Sequence, residues 1–286
     1  MANLGGTYRL GDRTVHRMGY GAMQLAGPHA FGPPRDREQA IAVLREAVAL
    51  GIDHIDTSDY YGPYVVNELI REALAPYPAN LTLVTKLGAR RDDEGDWLPW
   101  NGPADLEQGL RDNMAHLGLD AIEVANMRSM GSVHGPAEGS IAHFVEPLAR
   151  LKEQGILRHI GVSNVTRRQV EEARSITDIA CVQNAYNLAN RADDDLIDYL
   201  ATEGIAFVPF FPLGGFNPLQ SDTLNRVAAR LAASPMQVAL AWLLQRSPNI
   251  LLIPGTSSVA HLRENVAAAN LRLPDDALTE LNGIAG

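Results

Sequence analysis

Asp56-Thr57-Ser58-Asp59-Tyr60-Tyr61-Gly62 and Val84-Thr85-Lys86 are the two stretches that decide the fold, because each completes a short β-branched run of strand character. In a barrel of alternating strands and helices, the C-terminal strand ends and the loops that follow form the active face. A carboxylate (Asp56), a phenol (Tyr61) and an amine (Lys86) then converge there. Tyrosine ionises near about 10, too high for a ready proton donor, but a cationic lysine beside it stabilises the phenolate and lowers that value. Asp56 is expected to keep Lys86 charged and oriented.

The alternation runs outward from these stretches in both directions. Tyr8–Leu10 and Thr14–Arg17 read as a small hairpin around Gly11-Asp12, followed by a short strand from Met18 to Met23. Helix Arg37–Leu50 precedes strand His54–Thr57, Val66–Leu74 precedes Leu81–Lys86, and Ala104–Leu117 precedes Ile122–Asn126. Ile141–Gln154 leads to His159–Val162, Arg167–Ser175 to Ala180–Gln183, and Asp194–Glu203 to Ala206–Phe211. An amphipathic pair, Thr223–Ala232 and Pro235–Gln245, precedes Ile250–Ile253, and helices Val259–Ala269 and Asp275–Leu281 follow. Eight strands with intervening helices predict an α/β fold, a (β/α)8 TIM barrel with an N-terminal β-hairpin. No Gly-x-Gly-x-x-Gly follows the first strand, so the open dinucleotide-binding sheet lacks its usual signal.

With 286 residues, 46% hydrophobic and 20% charged, and no linker or low-complexity tract, the chain reads as one domain over 1–286. The Pro/Gly-containing stretches 27–34 and 95–103 read as long loops and candidate substrate lids. A formal charge of −10 argues against nucleic acid and anionic membrane as partners. The first residues show no signal-peptide pattern and no apolar run is long enough to span a bilayer, so a cytoplasmic protein is expected. The single cysteine, Cys181, reads as a buried strand thiol. No metal-ligand spacing, phosphate-binding Gly-x-x-x-x-Gly-Lys or Gly-x-Ser-x-Gly is present.

Five motifs in order resemble the aldo-keto reductases over essentially the whole chain. They are the Asp56–Gly62 segment, Val84-Thr85-Lys86, Gly161-Val162-Ser163-Asn164, Val182-Gln183-Asn184, and Ile253-Pro254-Gly255-Thr256-Ser257-Ser258 with Arg263-Glu264-Asn265. The stretches Gly19–Pro28, Gly88–Arg91, His134–Ser140 and Pro209–Phe216 carry a closer similarity to the bacterial reductases of pyridoxal within that family.

The resemblance implies NADPH/NADP extended across the C-terminal face and a small-molecule aldehyde as substrate. Gly21, Ala22 and Met23 match the first strand end. Ser163, Asn164 and Gln183 supply donors and acceptors for the nicotinamide amide. Phe210 stands where the family stacks an aromatic ring on the nicotinamide, and Leu213 and Gly214 match the loop that approaches the pyrophosphate. Gly255, Thr256 and Ser257 lead into a helix whose N-terminus favours an anion such as the adenosine 2′-phosphate. Gly255 replaces a frequent lysine and His261 a frequent arginine; Arg263 either supplies the missing charge or pairs with a surface carboxylate. Glu264 and Asn265 match the positions that hold the adenine.

The main departure is the fourth catalytic position. The family's usual histidine falls on Arg128 without a gap and on Met127 with one. Arg128 is permanently cationic and donor-only, suited to a carbonyl or to the phenolic oxygen beside the aldehyde of pyridoxal; the alternative is an arginine in a loop ion pair. The expected mechanism is ordered carbonyl reduction, with hydride delivered to the aldehyde carbon and Tyr61, assisted by Lys86 and Asp56, protonating the oxygen. Phe31, Trp97 and Trp100 are candidate walls for a flat ring. His54 reads as packed, and His134 carries no assigned role. A reductase of other carbonyls, a Schiff-base lyase using Lys86, and an NADPH-binding redox sensor with little turnover remain as alternatives.

Overall fold

The computed structural model describes residues 3–130, 135–214 and 220–284. His134, Gly215 and Phe216, quoted above, lie outside them. The chain opens with a hairpin, β1 (Thr7–Leu10) paired antiparallel to β2 (Arg13–His16), turning on Gly11 at φ +67°. The alternation follows as β3 (Tyr20–Gly21), α1 (Arg37–Ala49), β4 (His54–Asp56), α2 (Val65–Leu74), β5 (Thr82–Arg91), β6 (Trp97–Trp100), α3 (Pro103–Leu117) and β7 (Ile122–Arg128). It continues as α4 (Ala142–Glu153), β8 (Leu157–Ser163), α5 (Arg167–Ile176), β9 (Ile179–Gln183), α6 (Asp194–Thr202) and β10 (Ala206–Phe207). Helices α7 (Asp222–Arg230), α8 (Pro235–Arg246), α9 (Val259–Ala267) and α10 (Asp275–Asn282) complete it.

Side-chain caps set several helix starts. Thr166 and Gln169 form a capping box on α5, Ser234 and Gln237 form another on α8, and the Ser258 hydroxyl accepts from the His261 N–H on α9.

Strands β3, β4, β5, β7, β8, β9 and β10 pair in parallel in that order. Residues 250–255 close the circle through single bridges, Phe207 with Ile250, Met18 with Leu252 and Gly21 with Gly255. The Leu251 N–H donates to Phe207 O at 2.9 Å and the Leu252 N–H to Arg17 O at 2.7 Å. The last segment reaches both neighbours through isolated bridges only, in place of the regular strand expected at Ile250–Ile253. The result is the (β/α)8 barrel with its N-terminal hairpin. Among the described residues no single helix is long and apolar enough to cross a membrane.

The loop expected over 95–103 is corrected in part. Trp97–Trp100 pairs antiparallel with Gly88–Arg91, so β5 runs past the barrel rim and returns as a hairpin. Pairing of all four residues with β5 holds it despite Pro99, which is tolerated on a sheet edge. Arg91 pins the hairpin to the 27–34 loop, donating to Ala30 O at 3.1 Å, with its guanidinium carbon 4.1 Å from the centre of the Trp97 ring and 5.2 Å from that of Phe31.

Side chains alternate across each strand, and the inward set explains the barrel. Val84, Val124, Cys181, Ala206, Val208, Leu251 and Ile253 form one buried cluster, sealed from below by Leu10 and Val15 of the hairpin. Cys181 is fully buried, which pushes its thiol up to about 12, and it donates to Asn126 Oδ1 at 3.3 Å. The outward set, including Ile55, Leu83, Ala125 and Ile160, packs against the helices.

Gly161 makes room inside this barrel. A Cβ at that position would lie 2.0 Å from Asn126 Oδ1 and 2.7 Å from Cys181 Sγ. Gly161→Ala is therefore expected to destabilise the fold by about 1–3 kcal/mol through overpacking. Denaturant unfolding checks this, and an unchanged midpoint would contradict it.

Candidate active site

Two steps up each inward row, the apolar layer gives way to polar groups. Val84 is followed by Lys86, Val124 by Asn126 and Arg128, and Cys181 by Gln183. The Lys86 ammonium contacts Asp56 Oδ1 directly, and their side chains are 7% and 5% exposed, so this is a buried ion pair. Lys86 Nζ also donates to Thr57 O at 3.1 Å, and Gln183 Nε2 donates to Asp56 Oδ2 at 2.9 Å. Both carboxylate oxygens are thereby occupied. An ammonium held in this way is a poor nucleophile, which disfavours a Schiff base on Lys86.

The turn after β4 delivers the phenol. The Tyr61 N–H donates to Ser58 O at 3.1 Å, Gly62 adopts φ +104°, and its N–H reaches Ala30 O at 3.0 Å. Lys86 Nζ lies 5.2 Å from the centre of the Tyr61 ring. Tyr60 packs edge-on against both Tyr61 and Trp97, at 5.5 and 5.3 Å, so it props the Tyr61 ring.

The expectation that Lys86 lowers the Tyr61 pKa is corrected. Burial pushes the Tyr61 phenol well above its ordinary value, the Asp56 charge adds to this, and the cation that opposes both is Arg128. Lys86 spends its field on the carboxylate it touches. Tyr61 accordingly stays protonated, a donor rather than a phenolate, throughout the neutral range. A raised acid pKa means that the protonated form persists to higher pH. The rate of carbonyl reduction should show no loss assignable to Tyr61 between pH 7 and about 10. A Tyr61-dependent fall near neutrality in the pH profile of kcat/KM would contradict this.

Of the two registers left open for the fourth position, Arg128 is the one that faces the site. Met127 points the other way, into the helix-side core. Arg128 Nη1 donates to Ser163 Oγ at 3.4 Å, and its guanidinium carbon lies 4.7 Å from the centre of the Phe210 ring. It forms no ion pair with a carboxylate among the described residues, so the loop ion pair is not what holds it. Burial pushes its pKa down, while Tyr60 and Tyr61 oppose that shift.

The residues expected at the cofactor line one side of the mouth. Ser163 is fully buried, and Asn164 is left-handed at φ +60° with its amide donating to Ser129 O at 3.1 Å. Gln183 Oε1 is buried without a hydrogen-bond partner. Phe210 packs edge-on against Phe211, and Leu213 and Gly214 turn after it, with the Gly214 N–H on Phe211 O at 3.0 Å. Gly21 and Ala22 are buried at the end of β3, where the Ala22 N–H donates to Asp56 O at 2.8 Å; Met23 is half-buried beyond them.

Gly255 sits opposite Gly21 across the closing bridge, and a Cβ on Gly255 would lie 2.8 Å from Gly21 O. Backbone approach thus explains why no lysine stands there. Thr256 is buried and its carbonyl accepts the Tyr20 hydroxyl at 2.7 Å, whereas Ser257 and His261 are exposed. Arg263 pairs with Glu46 of α1 at 2.7 Å, the surface pair that is one of its two expected readings. Glu264 accepts from the Ser234 hydroxyl, and Asn265 is buried beside it.

Sequence reasoning missed two buried polar residues behind the site, Asn67 and Asn113, and one inside the barrel, Asn126. The signal was present: Asn67 lies in the apolar stripe Val66, Ile70, Leu74, and Asn113 in Leu106, Leu110, Leu117, where an amphipathic helix should place apolar side chains.

Known proteins share this fold. The model of the aldo/keto reductase family matches residues 17–285. The pyridoxine 4-dehydrogenase of Escherichia coli is 64% identical over 280 residues, covering 98% of each chain. A thermostable aldo-keto reductase crystallised with the inhibitor epalrestat superposes with a TM-score of 0.81 at 28% identity, covering 98% of this chain and 99% of that one. An aldo/keto reductase from Klebsiella pneumoniae, crystallised with NADP and acetate, gives 0.79 at 25% identity, covering 97% and 94%.

Proposed function

This chain belongs to the aldo/keto reductase family, and from that premise we propose that it interconverts pyridoxal and pyridoxine as an NADP-dependent oxidoreductase. The observation that carries this reading is the buried Asp56–Lys86 pair beneath Tyr61 at the barrel mouth, with Arg128 facing the same space. The name of the E. coli relative supplies the substrate, and the Klebsiella complex supports the cofactor.

The residues present fit a nicotinamide. Gln183 Nε2 is committed to Asp56, while Gln183 Oε1 is buried and unpartnered. A carboxamide N–H would satisfy it, and an orphaned buried acceptor otherwise costs on the order of 1–3 kcal/mol. Ser163, Asn164 and Gln183 would hold that amide, and Phe210 would lie along the ring. The remaining cofactor assignments, from Gly21, Ala22 and Met23 round to Leu213, Gly214, Gly255, Thr256, Ser257, His261, Glu264 and Asn265, follow the family pattern.

NADPH, when bound, supplies the hydride taken by the aldehyde carbon. Tyr61 gives its proton to the carbonyl oxygen, which becomes the alcohol. Asp56 holds Lys86 against the Tyr61 ring, and Arg128 is the cation whose field favours negative charge on the phenol, standing in place as the proton leaves. Arg128, too hindered by burial to be solvated freely, offers N–H groups to the carbonyl or to the phenolate oxygen next to it on the pyridine ring. Arg128→Met should raise the KM for pyridoxal or lower kcat by roughly ten- to a hundredfold, about the effect of one lost charged hydrogen bond. Steady-state kinetics with wild-type constants in that variant would sink the assignment.

The test of the proposed function is loss of reduced-nicotinamide absorbance with pyridoxal and with a panel of simple aldehydes and ketones. Consumption selective for pyridoxal supports the reading. Activity spread over simple aldehydes places the protein among general reductases, and cofactor binding without turnover favours a sensor.

A further inference from the structure

Behind the sheet, on the side opposite the catalytic groups, lies a directed hydrogen-bond network. Asn113 Nδ2 donates to Gly109 O at 2.8 Å, which fixes its amide orientation and leaves Oδ1 as an acceptor. That oxygen takes the Thr85 hydroxyl and, at 2.9 Å, Asn67 Nδ2. Asn67 Nδ2 gives its second hydrogen to Asp59 Oδ1 at 3.1 Å, and Asn67 Oδ1 accepts the Thr57 hydroxyl at 2.8 Å. Asp59 Oδ1 also meets His116 Nδ1 at 2.8 Å. Thr57, Asn67, Thr85 and Asn113 are all essentially inaccessible, and each side-chain nitrogen and oxygen among them has a hydrogen-bond partner.

The network touches the chain at three places. Thr57 follows Asp56, Thr85 precedes Lys86, and Asp59 stands two residues before Tyr61. Alternation along the strands turns Thr57 and Thr85 toward α2 and α3 while Asp56 and Lys86 point into the barrel. Two helix-borne amides thus hold, from behind, the backbone beneath all three groups of the site.

We propose that Asn67 and Asn113 are positioning residues, and that the hydroxyls of Thr57 and Thr85 are the contacts through which they set the relative placement of Asp56, Tyr61 and Lys86. The inference rests on the reading that these three groups carry out the reduction. A buried network in which every polar atom is partnered favours one arrangement, and displacement of a reacting group by about 1 Å can cost on the order of a hundredfold in rate.

The experiment compares Thr57→Val and Thr85→Val, which keep the shape and remove the hydroxyl, with Thr57→Ser and Thr85→Ser, which keep it. Should a valine variant not fold, the alanine variant at the same position takes its place. The expected result is a fall in kcat on the order of tenfold in each hydroxyl-deleted variant. KM for NADPH should stay within about twofold, the isotope effect with deuterated NADPH should increase, and both serine variants should recover. Wild-type kcat in the valine variants, whatever their Tm, would overturn the proposal. If the wild-type protein reduces no carbonyl, the function reading fails on its own. Hydrogen exchange of the 57–64 segment then still decides: faster exchange in the valine variants, reversed by serine, supports the network, and unchanged protection overturns it.

Discussion

Tyr61→Phe should lower kcat/KM for pyridoxal reduction by roughly a hundred- to ten-thousandfold, the range of a lost general acid and equivalent to about 3–5 kcal/mol at the transition state. The ring stays, so its edge-on contact with Tyr60 and its place above Lys86 survive. The buried hydroxyl is removed from a site that pushes its pKa up, so the substitution relieves burial of a polar atom and should leave Tm near that of the wild type. NADPH affinity, read by fluorescence titration, should hold within about twofold. A variant that keeps a tenth or more of the wild-type rate would remove Tyr61 from the role of proton donor, and Tyr60, next in the same turn, would be the residue to test.

The second large effect is on stability as well as rate. Lys86→Met strips the cation from Asp56 and leaves a carboxylate at 5% side-chain exposure with one hydrogen bond, from Gln183. Removing one member of a buried pair costs about 3–5 kcal/mol, because the other charge remains desolvated and unpaired. For a chain of this size that corresponds to a Tm lower by on the order of 10 °C. Activity should fall with it. The double change Asp56→Leu with Lys86→Met separates the two roles: it should regain most of the lost stability while remaining inactive. Recovery of turnover in the double variant, followed in the same reductase assay, would show that the pair serves folding alone.

Much of this was legible in the sequence because the signals were local. The β-branched runs before Asp56 and Lys86 marked strands, and the barrel rule then placed their ends on one face. The partners of Arg128 were not legible, since the contact with Ser163 spans 35 residues and depends on β7 and β8 lying side by side in register. The Trp97–Trp100 strand read as a loop because Gly95, Pro99 and Gly102 outweigh the two tryptophans in any local count, whereas pairing with Gly88–Arg91 decides the outcome. Asn67 and Asn113 escaped for a related reason. Their meaning comes from meeting each other across α2 and α3, and singly each is only a polar residue in an apolar stripe. The pKa of Tyr61 failed in direction because the count of neighbouring charges is readable from spacing, while burial is not.

The seam that closes the barrel also bears on how the chain is made. Its two sides are β3 and β10, each two residues long, and the segment that joins them is synthesised late. Roughly 230 residues separate Gly21 from Ile250, so at about 5–20 residues per second a ribosome leaves the first edge without its partner for on the order of tens of seconds. A long unpaired strand held open for that time would be a template for joining another nascent chain, and an edge of two residues offers little to join. The brevity that makes the finished seam sparse in hydrogen bonds thus shields the unfinished protein from its neighbours during translation.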